Sequence, residues 1–214
     1  MQVELKSVKG EVLKKIPASD DVWKQPYNES LVHQVIVALL SNKRQGTSNT
    51  LRRRDVNYST AKLRNQKGAG RARVGSRSSH VLGNSVAHGP HPRSYRKKIL
   101  KKVKKASLKM ALSEKMREGT ITIINNFNIK NISTKNLNSI VSALNLPKKS
   151  SVLLDKSEIN ENILKSSSNI PSVRTIQADL INTYDVLNSN HIVITEQGFN
   201  RIEEVWGKKK KVKK

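Results

Sequence analysis

The chain has 214 residues, with 41 Lys and Arg against 16 Asp and Glu and a formal net charge of +25. It has no cysteine, which excludes disulfides, cysteine-ligated zinc and thiol nucleophiles. Aromatic residues make up 4% of it, too few for a module that stacks single-stranded bases on many rings. The N-terminal residues MQVELKSVKG lack the apolar core of a secretory signal. No stretch approaches the ~20 apolar residues of a membrane span, so a soluble intracellular protein is expected.

Residues 2–5 and 11–16 alternate weakly between apolar and polar and suggest two short strands. Over 29–40, Leu31, Val32, Val35, Ile36 and Leu39 recur at helical spacing, with Asn28 or Ser30 placed to cap the helix. His33 lies among these apolar neighbours and is expected to be structural. From Asn42 to about Tyr95 the periodicity stops. That 54-residue stretch holds six of the ten glycines and two of the six prolines. So long a structureless excursion inside a compact domain points to function.

Helical spacing returns over 96–116. Leu100, Val103, Ser107, Leu108, Ala111 and Leu112 share one face there, and seven lysines from Lys97 to Lys109 crowd the others. Gly119 is placed to end that helix. Beyond it, strand signals at 120–124, 151–154, 173–177 and 191–195 alternate with helical signals near 134–144, 159–166 and 178–187. A last helix covers 196–206. This alternation predicts an α/β fold, a parallel sheet with helices on both faces, interrupted by one long extended basic loop. The expected division is one α/β domain from residues 1–41 and 97–207, an inserted loop at 42–96, and a basic tail at 208–214.

The charge is concentrated. Residues 43–105 hold 19 Lys and Arg against a single acid, Asp55, and the tail holds six lysines. The remainder carries 16 basic and 15 acidic residues. A near-neutral body with two polycationic extensions is the footprint of a polyanion binder, for RNA or DNA. The loop's midpoint falls near residue 68 or 69, inside the run Gln66-Lys67-Gly68-Ala69-Gly70-Arg71-Ala72-Arg73. No strand precedes this run, no helix follows it and no Gly-Lys-Ser/Thr ends it, so it is neither a dinucleotide loop nor a P-loop. Glycines between cations suit a turn whose Lys67, Arg71 and Arg73 grip phosphates. With about 26 residues per leg, the tip reaches at most ~85 Å. Few apolar side chains are present to offset about 1–2 kcal/mol per residue of backbone entropy, so the loop is expected to order only on its polyanion.

Other polar groups read as bystanders. His80, His88 and His91 lie near Gly89, Pro90 and Pro92, but no carboxylate stands between Asp55 and Glu114 to complete a metal site. Contact with RNA or solvent is expected of them. Glu203 and Glu204 read as a solvated helix face, and Asp155, Glu158 and Glu161 as carboxylates at a helix start. No nucleophile elbow or ordered base is visible.

Ordered motifs carry the reading further. Residues 28–38, Asn-Glu-Ser-Leu-Val-His-Gln-Val-Ile-Val-Ala, are followed by Arg44-Gln45-Gly46-Thr47 and then by the run 66–73. Gly89-Pro90 with Pro92-Arg93-Ser94-Tyr95 comes next, then the helix from Lys101-Lys102-Val103 to Ala111-Leu112-Ser113-Glu114-Lys115. In this order they resemble the bacterial type of large ribosomal subunit protein four. The match covers residues 28–118, and beyond 119 the alternation and the length agree. Two departures stand out. The aromatic that usually precedes the Gln-Lys-Gly run is absent from Lys62-Leu63-Arg64-Asn65-Gln66, and the glycine-rich approach is replaced by Asp55-Val56-Asn57-Tyr58-Ser59-Thr60.

The resemblance implies a structural constituent of the large ribosomal subunit and not an enzyme, with no cofactor, metal, small-molecule substrate or membrane association. It implies that the loop binds large-subunit (23S-type) rRNA, supports early subunit assembly and helps line the peptide exit tunnel. The implied rRNA contacts are Lys43, Arg44, Arg52, Arg53, Arg54, Lys62, Arg64, Lys67, Gly68, Gly70, Arg71, Arg73, Arg77, Arg93, Arg96, Lys97, Lys98, Lys101 and Lys102. The implied tunnel tip is Gln66, Lys67, Gly68, Gly70 and Arg71, near which the nascent peptide passes. The implied partners are large-subunit rRNA and neighbouring large-subunit proteins, in a cytoplasmic ribosome with an organellar one left open. Two other readings compete. A DNA binder needs a helix or ribbon shaped for a groove, and an RNA-processing enzyme needs an acid–base pair or a metal set.

Overall fold

A computed structural model describes residues 1–56, 61–73, 75, 86–127 and 131–207. They fall into two compact units, one of Met1–Leu39 and the chain from Lys98 onward, the other of Leu40–Lys97.

The first unit is built on a six-stranded sheet ordered β2-β1-β3-β6-β4-β5. Strands β1 (Gln2–Lys6) and β2 (Val12–Pro17) pair antiparallel, with Val3 opposite Ile16. Every other pairing is parallel, among β1, β3 (Ile121–Ile124), β4 (Ser150–Leu154), β5 (Val173–Gln177) and β6 (His191–Thr195). The parallel α/β sheet expected from the alternation is present, with an antiparallel hairpin at one edge. The edge strand β2 is mostly exposed, and its Lys14, Lys15 and Pro17 discourage further pairing.

Seven helices accompany the strands among the described residues: α1 (Asp20–Trp23), α2 (Glu29–Lys43), α3 (Lys101–Arg117), α4 (Thr134–Ala143), α5 (Glu161–Ser168), α6 (Thr183–Asn188) and α7 (Glu196–Trp206). Successive strand residues point to opposite faces, and the burial follows that period. Ile121, Ile123, Leu153, Ile192 and Ile194 share one core with residues of α3, α6 and α7, such as Leu112, Val186 and Phe199. Ile124, Val152, Leu154 and Val193 share the other with Leu137 of α4 and Ile163 of α5. Side-chain caps set the helix starts. Asn28 accepts the Leu31 N–H at 3.1 Å, and Ser133, Asn182 and Thr195 accept the N–H groups of Asn136, Asp185 and Gly198. At the end of α3, Gly119 takes φ +68°. Its N–H bonds the Met116 carbonyl while that of Thr120 bonds Lys115, a Schellman turn.

The structure departs from expectation at four places. The helix expected from residue 96 begins at Lys101, because both backbone groups of Lys97 are bound by the Asn42 side chain. Leu100 therefore stands before the helix, 71% exposed, and not on its buried face. The helix expected over 178–187 is a 3-10 turn, Ala178–Leu180, and then α6, because the Asn182 cap restarts the helix. His33 is exposed, since α2 buries Val32, Val35 and Ala38 and His33 lies off that face.

The fourth is Glu203. Its carboxylate accepts the Ser19 N–H at 2.7 Å and the Trp23 Nε1–H at 3.0 Å, so it is not a solvated bystander; Glu204 is exposed. These bonds help fix α1, which no sequence signal marks. Its Trp23 stacks on Phe199 with ring centroids 4.9 Å apart, and Ser113 Oγ donates to the Val22 carbonyl at 3.0 Å.

Candidate nucleic-acid interface

The second unit, Leu40–Lys97, holds 14 Lys and Arg against one acid, about half of the basic excess. Its two legs are joined by cross-bonds at matching distances from one point. Asn42 Oδ1 accepts the Lys97 N–H at 2.7 Å, and its Nδ2 donates to the Lys97 carbonyl at 3.2 Å. The Arg93 N–H reaches the Gly46 carbonyl at 3.1 Å, that of Val86 reaches Leu51 at 3.1 Å, and that of Leu63 reaches Gly75 at 3.0 Å. Thr50 Oγ1 donates to the Pro90 carbonyl at 3.2 Å. Every one of these pairs is centred between residues 68 and 70. The described parts of the legs thus run antiparallel, with three extra residues in the second leg between the Thr50–Pro90 and Leu51–Val86 bonds, and the turn falls at Gly68 and Gly70, whose φ values are +84° and +58°. A Cβ at either would meet nothing within 4 Å.

Two features tighten the base of this arm. Gly46 has φ +73°, and a Cβ there would lie 2.2 Å from the Arg93 carbonyl oxygen, so the crossing requires glycine. His91 links the legs. Arg52 Nε donates to His91 Nε2 at 2.6 Å, and His91 Nδ1 lies 2.9 Å from Asn49 Oδ1. A guanidinium only donates, so Nε2 is the acceptor and Nδ1 carries the proton of a neutral ring. His91 therefore acts as a clasp between legs, beyond the RNA or solvent contact expected of it.

Among the described residues, the cations of the arm are largely without counter-charge. Asp55, the single acid between Glu29 and Glu114, accepts the Arg52 N–H at 3.1 Å and pairs with Arg54 at 3.3 Å. The guanidiniums of Arg44 and Arg93 instead lie on the Tyr95 ring, 3.9 and 4.6 Å from its centroid. Hydrogen bonding from Arg93, with the charge of Arg44 beside it, holds the Tyr95 phenol below the usual tyrosine range. Nearer the turn, Lys62 Nζ bonds Gln66 Oε1.

The sequence-assigned contacts are distributed as follows. Arg44, Arg52, Arg54, Lys62, Lys67, Arg71, Arg73, Arg93, Arg96 and Lys97 are exposed on the second unit, and Arg64 is half-buried there. Lys43 ends α2, whereas Lys98, Lys101 and Lys102 belong to the first unit. Arg77, the Arg53 side chain and the tail 208–214 lie outside the described residues. Tyr95, Asn42, Asn49, Thr50 and His91, which organise the arm, carry no charge signal. The signal that finds them is their spacing, since each stands opposite its partner about a common midpoint.

A second region tests the enzyme reading. A cleft of about 750 Å³ beyond the carboxyl ends of β4, β5 and β6 is lined by Asp155, Asp179, Arg201 and Glu204, where α/β sheets often hold ligands. Its charges answer one another. Arg201 is bound by Asp179 at 2.7 and 3.2 Å and by Glu204 at 3.1 Å, which raises its pKa further. The Ser157 hydroxyl donates to Asp155 at 2.7 Å and holds that carboxyl below its ordinary range. Glu158 takes the Asp155 N–H and the Thr195 hydroxyl, and Glu161 alone of the three carboxylates sits in a helical first turn. This is a structural ion network. Among the described residues no group of three His, Asp or Glu is placed to hold a metal ion, and no helix is long and apolar enough to cross a membrane.

Comparison with known proteins places the chain in a family. Residues 16–205 match the model of the Ribosomal protein L4/L1 family. The chain is 35% identical to the large ribosomal subunit protein uL4 of Dehalococcoides mccartyi over 210 residues, 98% of this chain and 99% of that protein. It is 38% identical to the protein of the same name from Desulforudis audaxviator, over 93% of this chain and 96% of the relative. With that of Cytophaga hutchinsonii it shares 36% identity over 95% and 98%. Both the end-to-end coverage and the extent of the family match show that the chain belongs to the Ribosomal protein L4/L1 family.

Proposed function

We propose that the chain is a structural, non-enzymatic constituent of the large ribosomal subunit. Its arm, residues 42–96, binds large-subunit rRNA and supports early subunit assembly. Its tip, Gln66 to Arg71, helps line the peptide exit tunnel, with the nascent peptide passing nearby. Residues 1–41 and 97–207 form the body that docks among rRNA and neighbouring large-subunit proteins in a cytoplasmic ribosome, and 208–214 are a further basic tail. The observation that carries this reading is the arm itself, a paired antiparallel excursion whose one acid is already bound to Arg54. Lys and Arg that face no carboxylate bind by displacing counterions from phosphates. The test is sedimentation of a lysate through a sucrose gradient at moderate salt. Comigration with large subunits, lost when residues 43–95 are replaced by a short linker, supports the reading. A free or DNA-bound pool of the intact protein refutes it.

A further inference from the structure

We propose that Tyr95 is a positioning residue that holds Arg44 and Arg93 together as one preformed site for RNA phosphodiesters at the base of the arm. The inference rests on the rRNA-binding reading above and assigns a specific site within it.

The two guanidiniums come from opposite legs. Arg44 lies two residues before Gly46, whose carbonyl accepts the Arg93 N–H, so the backbone crossing brings both to Tyr95. Stacking on a ring engages the flat face of a guanidinium and leaves edge N–H groups that match a phosphate, in Arg93 those not bound to the Tyr95 phenol. The ring itself is not an open platform for a base. Besides the two guanidiniums, the Gly46 backbone is against it, since a Cβ there would lie 3.0 Å from both Cδ2 and Cε2 of Tyr95. The cleft beside the ring measures about 740 Å³ and is lined by Asn42, Gly46, Thr47, Pro92 and Arg96 besides the stacked residues. It has room for a phosphodiester with its sugar. Two like charges on one ring repel, and among the described residues no carboxylate lines this cleft; Asp55, the arm's single acid, is paired with Arg54. An anion from another molecule removes that repulsion. The Tyr95 phenol is lowered first by the hydrogen bond from Arg93 and then by the charge of Arg44, consistent with a ring that holds both guanidiniums.

The test measures affinity and salt dependence for a transcript of the organism's own large-subunit rRNA. Tyr95→Leu leaves net charge unchanged, yet is expected to weaken binding about tenfold and to flatten the salt slope by one to two phosphates, as if arginines had been removed. Tyr95→Phe keeps the ring but loses the hydrogen bond from Arg93 to the phenol, and is expected to retain most of the affinity that Tyr95→Leu loses. The double variant R44K/R93K keeps charge and ring, loses the planar stack, and matches Tyr95→Leu without disturbing the Tyr95 packing. In an R44Q/R93Q background, Tyr95→Leu has no further effect. Binding by both Tyr95→Leu and R44K/R93K equal to that of the unsubstituted protein overturns the site and leaves the arm's role standing. So does a loss in Tyr95→Leu that persists fully in the R44Q/R93Q background, as a base-stacking or merely structural ring gives. If the unsubstituted protein shows no salt-dependent affinity for the transcript, this site and the function it rests on fail together.

Discussion

At single positions, backbone geometry makes demands that composition conceals. Gly46→Ala places a Cβ 2.2 Å from a backbone oxygen in the left-handed region. Conformation alone costs about 1–2 kcal/mol, so the base of the arm is expected to open while the body keeps its unfolding temperature. Faster tryptic cleavage after Arg44 and Arg93, with unchanged melting, is the check. Glu203→Ala removes the acceptor of the Ser19 N–H and of buried Trp23 Nε1 and is expected to cost about 2 kcal/mol by denaturant unfolding, with Glu203→Gln costing less. His191 is half-buried with Nε2 2.9 Å from Thr122 Oγ1. Burial, helped by Lys6 and Lys115, pushes its pKa below the usual histidine range. The unfolded chain therefore takes the proton first, and stability falls as pH drops through about 6.5 and levels off below the folded pKa. His191→Gln should remove that part of the slope in urea titrations across pH 5–8. At the tip, Lys67→Glu should leave the body folded and ribosomes assembled but change their response to a tunnel-binding antibiotic or stalling peptide. Lys135→Glu in the body should change neither, and identical responses would refute the tip assignment.

Among the elements, strands were the most legible. β5 and β6 coincide with the expected spans, and β3 and β4 differ by one residue; β3 and β6, in the middle of the sheet and buried on both faces, leave nearly unbroken apolar signatures. Helix limits were less so where a distant partner decides them. Lys97 looks helical from its lysine-rich neighbours, but its backbone is taken by Asn42, fifty-five residues away, and no local pattern records that. The short α1 depends on Trp23 meeting Phe199 and Glu203, which are far off in sequence. The arm's cationic role was readable from charge alone, whereas its pairing was not, since Asn, Thr and His bonds replace an apolar period. That pairing also refines where the arm yields. Limited trypsin should cut within 43–98 before the body, soonest around Lys67 to Arg73, and more slowly at Arg44 and Arg93, where the legs are bonded. A protected turn in the free protein would count against a tip that orders only on RNA.

For the molecule as a whole, charge and folding are divided between different parts of the chain. The apolar cores lie entirely in the first unit, while the second holds 14 Lys and Arg against a single acid. Replacing 43–95 with a short linker should therefore preserve cooperative unfolding, because loop-closure cost changes only slowly with length. Affinity for rRNA should drop, and the dependence of log K on log salt should flatten by several units. An unchanged slope would move the electrostatic work to the body or the tail.

The cross-bonds of the arm bear on how its length can vary over evolution. Between the Thr50–Pro90 and Leu51–Val86 bonds one leg advances one residue and the other four, so an unmatched gain is absorbed there as a bulge. At the base the spacing is equal, four residues from Asn42 to Gly46 and four from Arg93 to Lys97. A residue gained in only one of those segments moves Gly46 away from Arg93 or Asn42 away from Lys97. Between Gly68 and Gly70, where a side chain meets nothing, a single added residue only lengthens the turn. Among descendants of this sequence, variation in length is thus admitted at the tip and at the bulge and matched or purged at the base.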